Sequence, residues 1–191
     1  RSEIRGDGTL HYSRVSDLLS ILDDVESELT MKNSRIYMAD LLEIVPGLSE
    51  IEFFRDNRKD IYTVDLTGRG KLSNLQLSQF LIVTDGARIG GSGQWKDLFV
   101  PESRSFSANI SQAYFPTRFL KEKFPKVDFP SGVDSLSYVS LHGTARMNKG
   151  DWAVHTWAQT RLGNLEVNAD IDTRRETYSG RMHLESFELG K

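Results

Sequence analysis

Leu165-Glu166-Val167-Asn168-Ala169-Asp170-Ile171-Asp172 is the stretch that decides how the chain is read. Its apolar residues, Leu165, Val167, Ala169 and Ile171, alternate with Asn164, Glu166, Asn168, Asp170 and Asp172. A period of two belongs to a strand that turns one apolar face inward and one polar face to water. Before it lie residues 152–158 and a Leu162-Gly163-Asn164 turn signal. After it come the polar tip Thr173-Arg174-Arg175-Glu176 and then Tyr178-Ser179-Gly180-Arg181-Met182-His183-Leu184. No helical period fits this region, so residues 141–191 predict an antiparallel meander with one apolar face.

The same alternation recurs upstream. Tyr62, Val64 and Leu66 alternate with Thr63 and Asp65, and Phe106, Ala108 and Ile110 with Ser105, Ser107 and Asn109. Leu75, Leu77, Leu81 and Val83 share a parity that Gln79 interrupts, and Val139, Leu141, Ala145 and Met147 open the final meander. Residues 1–13 read as a strand with Ile4, Gly6, Gly8, Leu10 and Tyr12 on one side, and residues 28–37 as another. Short helices are expected near 16–24, 38–44 and 117–123. The first has Val15, Leu18, Leu19, Leu22 and Val25 at helical spacing, the second stops at Pro46-Gly47, and the third is bracketed by Pro116 and Pro125. Residues 55–60 read as a charged loop, and 127–133 as an irregular connector.

The chain has 191 residues, 24 basic and 27 acidic, and a net charge of −3. The charges are intermixed without a polybasic run, which argues against nucleic acid as a partner. A hydrophobic content of 38% is low for a rounded core and suits an elongated one-sided sheet. With no cysteine, neither a disulfide framework nor a cysteine-ligated metal is available. The longest apolar run, Phe80-Leu81-Ile82-Val83, is far short of a membrane span. A start at Arg1 and a motif running to the last residue read as a piece of a longer protein. Order of elements suggests a repeat: residues 29–34 line up with 106–111, and Phe106 in turn with Met182. The expected units are 29–105 and 106–181, with a partial third at 182–191, stacked as a quasi-one-dimensional array.

Catalytic patterns are weak. His11, His142, His155 and His183 lack metal-ligand spacing and read as strand-face residues. Gly68-Arg69-Gly70-Lys71-Leu72 departs from the phosphate-loop frame, which would need glycine at Asp65, and reads as a hairpin turn. Gly90-Gly91-Ser92-Gly93 reads as a flexible turn. Asp151 and Glu166 could be imagined as a glycosidase pair, but carboxylates on exposed strand faces are usually there for solvation. No enzyme and no cofactor is expected. Of the tryptophans Trp95, Trp152 and Trp157, the last two are five residues apart and should point to opposite faces of a strand. That weakens a coplanar sugar-stacking platform.

The order Leu-His-Gly-Thr-Ala (141–145), Gly-Asp-Trp (150–152), Leu-Gly-Asn-Leu-Glu-Val-Asn-Ala (162–169), Tyr178-Ser179-Gly180 and Phe187-Glu188-Leu189-Gly190 resembles the repeating β-pattern of TamB and AsmA-like envelope proteins, chiefly those of Bacteroidetes. The likeness reaches upstream to about residue 27 and rests on glycines, turn residues and alternation. It implies a β-sheet half-pipe with a hydrophobic interior, periplasmic in a Gram-negative envelope, its full-length form anchored in the inner membrane. It also implies phospholipid acyl chains as cargo and an outer-membrane β-barrel of the TamA/BamA type as a possible partner.

The expectation is therefore a mostly-β, elongated antiparallel groove of about a dozen strands, roughly 60 Å along the sheet. Its lining would be Val64, Leu66, Leu75, Leu77, Leu81, Val83, Leu141, Leu165, Val167, Ala169 and Ile171. Its raw edges would invite self-association. The rival expectations are a carbohydrate-binding or adhesin-like β-sandwich, and a scaffold that binds a partner by strand addition.

Overall fold

Ten strands follow one another in a single antiparallel sheet whose spatial order is the order of the chain. They are β1 (Gly6–His11), β2 (Glu26–Tyr37), β3 (Ile61–Lys71), β4 (Asn74–Thr84), β5 (Ala87–Lys96), β6 (Ser105–Pro116), β7 (Tyr138–Asn148), β8 (Asp151–Thr160), β9 (Gly163–Asp172) and β10 (Thr177–Glu185). Helices α1 (Met38–Ile44) and α2 (Glu52–Asp56) fill the β2–β3 connection. Helix α3 (Thr117–Lys123) and a short 3-10 turn (Val133–Leu136) fill the one between β6 and β7. This computed structural model describes residues 1–11, 25–44, 49, 52–71, 73–97, 100, 102–125, 128–129, 132–172, 175 and 177–186. The helix expected near 16–24 and the Phe187–Gly190 motif lie outside the described residues.

Cross-strand register defines the two faces. Tyr178, Ile171, Trp152, Met147, Phe106, Trp95 and Leu75 form one row from β10 back to β4. Met182, Val167, Thr156, Gly143, Ile110, Gly91, Phe80 and Leu66 form another. The apolar face is thus continuous across the sheet, and the intervening residues make a polar face. Trp152 lies in an apolar row, whereas Trp157 opposes Glu166 on the polar side. The two tryptophans occupy opposite faces, as their spacing predicts.

Three features differ from the sequence reading. An extra residue on β4 between Leu77 and Phe80 shifts its register against both neighbours. A one-residue bulge reverses which side chains face inward, so Phe80, Ile82 and Thr84 join Leu75 and Leu77, while Leu81 and Val83 turn to the polar face. Gly90-Gly91-Ser92-Gly93 is the middle of β5, not a turn, and Gly68 and Gly70 lie within β3, paired with Leu77 and Leu75. The sheet has ten strands among the described residues instead of a dozen, which makes it about 43 Å across at the usual strand spacing.

The β5 glycines explain how a single layer can bury anything. Leu77, Gly93 and Ala108 share a row across β4, β5 and β6, as do Phe80, Gly91 and Ile110. With no side chain on the middle strand, the flanking ones meet above it. The buried cluster is accordingly Leu75, Leu77 and Phe80 of β4 with Ala108, Ile110 and Ala113 of β6. Leu75 keeps 1% of its surface exposed. A Cβ on Gly91 would collide with the Asn109 carbonyl oxygen, so β5 and β6 approach more closely there than any other residue allows.

Helix α3 caps one end of this closed section. Pro116, which ends β6, precedes it; Phe119 is buried and stacks on Phe115 of β6 with ring centres 6.0 Å apart. At its last turn the Lys123 ammonium, with 9% of the side chain exposed, binds Asp60 Oδ1 at 2.6 Å and Asp85 Oδ2 at 3.1 Å. Burial works against that charge, but the hydrogen bonds to Asp60 and Asp85 outweigh it and hold the Lys123 pKa above the usual lysine value. The Tyr62 hydroxyl donates to Asp60 Oδ2, and burial, then the Asp60 charge, pushes its pKa up. Phe53 of α2 stacks on Phe124 at 5.3 Å, which joins the two helical connections.

Candidate functional site: the open end of the apolar face

The apolar face changes character along the sheet. Between β2 and β7 it is filled by its own side chains: Leu29, Leu66, Ile82, Ile89, Trp95, Phe106, Phe115 and Leu141 pack around the buried cluster. Cover thins from β8 onward: Ala158 and Thr160 at the end of β8 are still buried, and Trp152, Val154 and Thr156 are half-buried. Leu165, Val167 and Ala169 of β9 are half-buried, Ile171 is exposed, and every residue of β10 is exposed. Tyr178 shows 86% of its surface and Met182 66%, with Leu184 beside them. The strip Tyr178, Met182, Leu184, Ile171, Val167 and Leu165 is one contiguous apolar surface, because each β10 side chain stands opposite its β9 partner.

The groove residues expected from the sequence therefore separate into three sets. Val64, Leu66, Leu75, Leu77 and Leu141 share the inward face but belong to the closed section, and Val64, Leu75 and Leu77 are buried. Leu165, Val167, Ala169 and Ile171 belong to the open section. Leu81 and Val83 face the other way, for the register reason given above. Phe80, Ile110, Ala113, Met182 and Leu184 were absent from the expected lining. The extra residue falls at Ser78-Gln79, and the parity break at Gln79 is the signal that could have found Phe80. Met182 and Leu184 alternate with Arg181 and His183, and their pairing with Val167 and Leu165 puts them on the apolar face.

The polar face carries a cluster of its own. His142, Trp157, Glu166 and His183 line up across β7, β8, β9 and β10. The His142 and Trp157 rings stack with centres 5.5 Å apart and planes within 15°. His155, two residues earlier on β8, meets Trp157 at 4.2 Å and places Nε2 2.9 Å from Glu166 Oε1. The hydrogen bond with His155, followed by that from Asn168, lowers the Glu166 pKa. The sequence holds no local sign of this cluster, since only register brings its members together. Among the described residues, no three His, Asp or Glu side chains are placed to hold a metal ion. Asp151 and Glu166 are not a pair: Glu166 opposes Trp157, six residues along β8 from Asp151, which is about 20 Å at the rise of a strand.

No described helix is long and apolar enough to cross a membrane. Comparison with family models, with curated proteins and with solved structures yields no match to this chain.

Proposed function

We propose that this chain is a section of a hydrophobic conduit that carries phospholipid acyl chains along the open end of its apolar face. The observation that carries the reading is the uncovered strip on β9 and β10. Contiguous exposed apolar surface commonly marks a site that meets something apolar. An acyl chain gains about 0.8 kcal/mol for each methylene it buries, and it needs no convergent polar pocket. The resemblance of residues 141–190 to TamB and AsmA-like proteins supports the same reading, with residence in a Gram-negative cell envelope and a role in outer-membrane biogenesis. The free edge of β10, which pairs only with β9 among the described residues, is where a β-barrel partner of the TamA/BamA type would add a strand.

The test is mass spectrometry of lipids that co-purify with the protein, repeated for Val167→Asp and Ala169→Asp. Phospholipid should accompany the wild-type chain and be lost from both variants, with the circular dichroism spectrum retained. A wild-type protein free of lipid after expression in a membrane-bearing host would sink the proposal.

A further inference from the structure

The geometry points to a binding site for a neutral saccharide on the polar face, centred on Trp157 and independent of the lipid reading. A recess of about 530 Å³ lies on strands β7 to β10, and Trp157 lines it together with Ser140, Gln159, Asn164, Glu166 and Glu185. Trp157 keeps 43% of its surface exposed although it faces water on a polar strand face. Its indole is not there to fill a core. His142 stacks against it and His155 contacts it, so part of the indole is covered and held in place, and the exposed remainder is a fixed apolar surface. The apolar face of a pyranose ring fits such a surface.

The polar lining selects among ligand classes. No lysine or arginine lines the recess, whose ionisable groups are the carboxylates of Glu166 and Glu185 and the imidazoles of His142 and His183, so an anion would meet two like charges and no permanent positive one. A quaternary ammonium would use the carboxylates and the indole but leave the amides of Gln159 and Asn164 and the hydroxyl of Ser140 unused, since a cation of that kind neither donates nor accepts. Sugar hydroxyls do both, and amide, hydroxyl and carboxylate groups answer them. The carboxylate of Glu166 is already held by His155 and Asn168, which leaves a pre-oriented acceptor beside the ring. A few convergent polar groups around an apolar platform is the usual make-up of a small-ligand site.

The experiment uses the full 191-residue chain with maltotriose, cellotriose and diacetylchitobiose as probes, followed by saturation-transfer NMR and tryptophan fluorescence. At least one should bind saturably at millimolar concentration. Trp157→Ala should weaken that binding about tenfold, the worth of an aromatic contact, and Trp157→Phe should retain part of it, which separates loss of the platform from loss of the fold. Glu166→Gln should weaken binding less. Trp152→Phe, on the opposite face, should leave it unchanged. Failure of all three sugars to bind, displacement of the bound sugar by tetramethylammonium, or equal weakening by Trp152→Phe would each overturn the assignment. None of these outcomes bears on whether lipid occupies the other face.

Discussion

Single residues decide where this sheet closes and where it stays open. Gly91 is the sharpest case: a methyl group there meets the Asn109 carbonyl oxygen, and the β4 and β6 side chains could no longer meet over β5. Gly91→Ala should cost several times the ~1 kcal/mol spanned by strand propensities, read as a shift of the urea midpoint. An unchanged midpoint would mean that β5 and β6 can move apart freely. Gly143, at φ 151° with its Cβ direction blocked by the His155 carbonyl oxygen, should respond alike. Charge is equally local. Asp60→Ala leaves Lys123 half-paired, because Asp85 still faces it. The expected loss is about 2–3 kcal/mol, less than for a buried pair stripped of its only counter-charge. The Lys123 pKa is raised, so this stabilisation is complete below the ordinary lysine value and fades as pH rises through the folded one. Asp60→Ala should accordingly flatten the alkaline limb of a stability–pH profile. Glu166 and Asp40 have lowered pKa values, Glu166 through His155 and Asp40 through its hydrogen bonds with Ser2. Their contributions are present above the ordinary carboxylate value and are lost as pH falls through the folded one.

Among the elements, those with strong local punctuation were legible. Helices α1 and α3 fall on residues 38–44 and 117–123, where a Pro-Gly stop and two bracketing prolines place them, and β9 spans the alternating stretch that opened the reading. What was not legible depends on a partner strand. The extra residue in β4 is defined only against β3 and β5, and it moves Leu81 and Val83 off the apolar face. Glycine pairs suggested turns because glycine permits them, but in β5 they serve close approach between strands. The His142–Trp157–Glu166–His183 row exists only through register, and no residue-by-residue pattern could have announced it. Element-level energetics follow from the split between closed and open sections. Leu77→Ala in β4 removes a buried side chain and should cost about 2–5 kcal/mol. Met182→Ala in β10, 66% exposed, should stay within about 0.5 kcal/mol. Equal losses would mean that β10 is covered in solution.

At the scale of the molecule, one sheet does two jobs that proteins usually assign to two layers. Its middle supplies its own core by folding side chains over a glycine strand, and its far end leaves the same face unclaimed. Strand, helical connection and three further strands recur from β2 to β5 and again from β6 to β9, and the buried cluster joins the two units, with Leu75, Leu77 and Phe80 from the first and Ala108, Ile110 and Ala113 from the second. An aspartate on the face distinguishes the closed section from the open one directly. Ile110→Asp buries an unpaired charge and should unfold the protein, because such a charge is far costlier than the stability of a small domain can absorb. Val167→Asp should leave the unfolding midpoint close to wild type. The most direct test of the whole account is photo-crosslinking with a phospholipid bearing a diazirine in its acyl chain, mapped by peptide mass spectrometry. The account predicts adducts on Val167, Ile171, Met182 and Leu184, and none on Leu77, Phe80 or Ile110. Adducts confined to the polar face around Trp157, or none at all on β9 and β10, would contradict it.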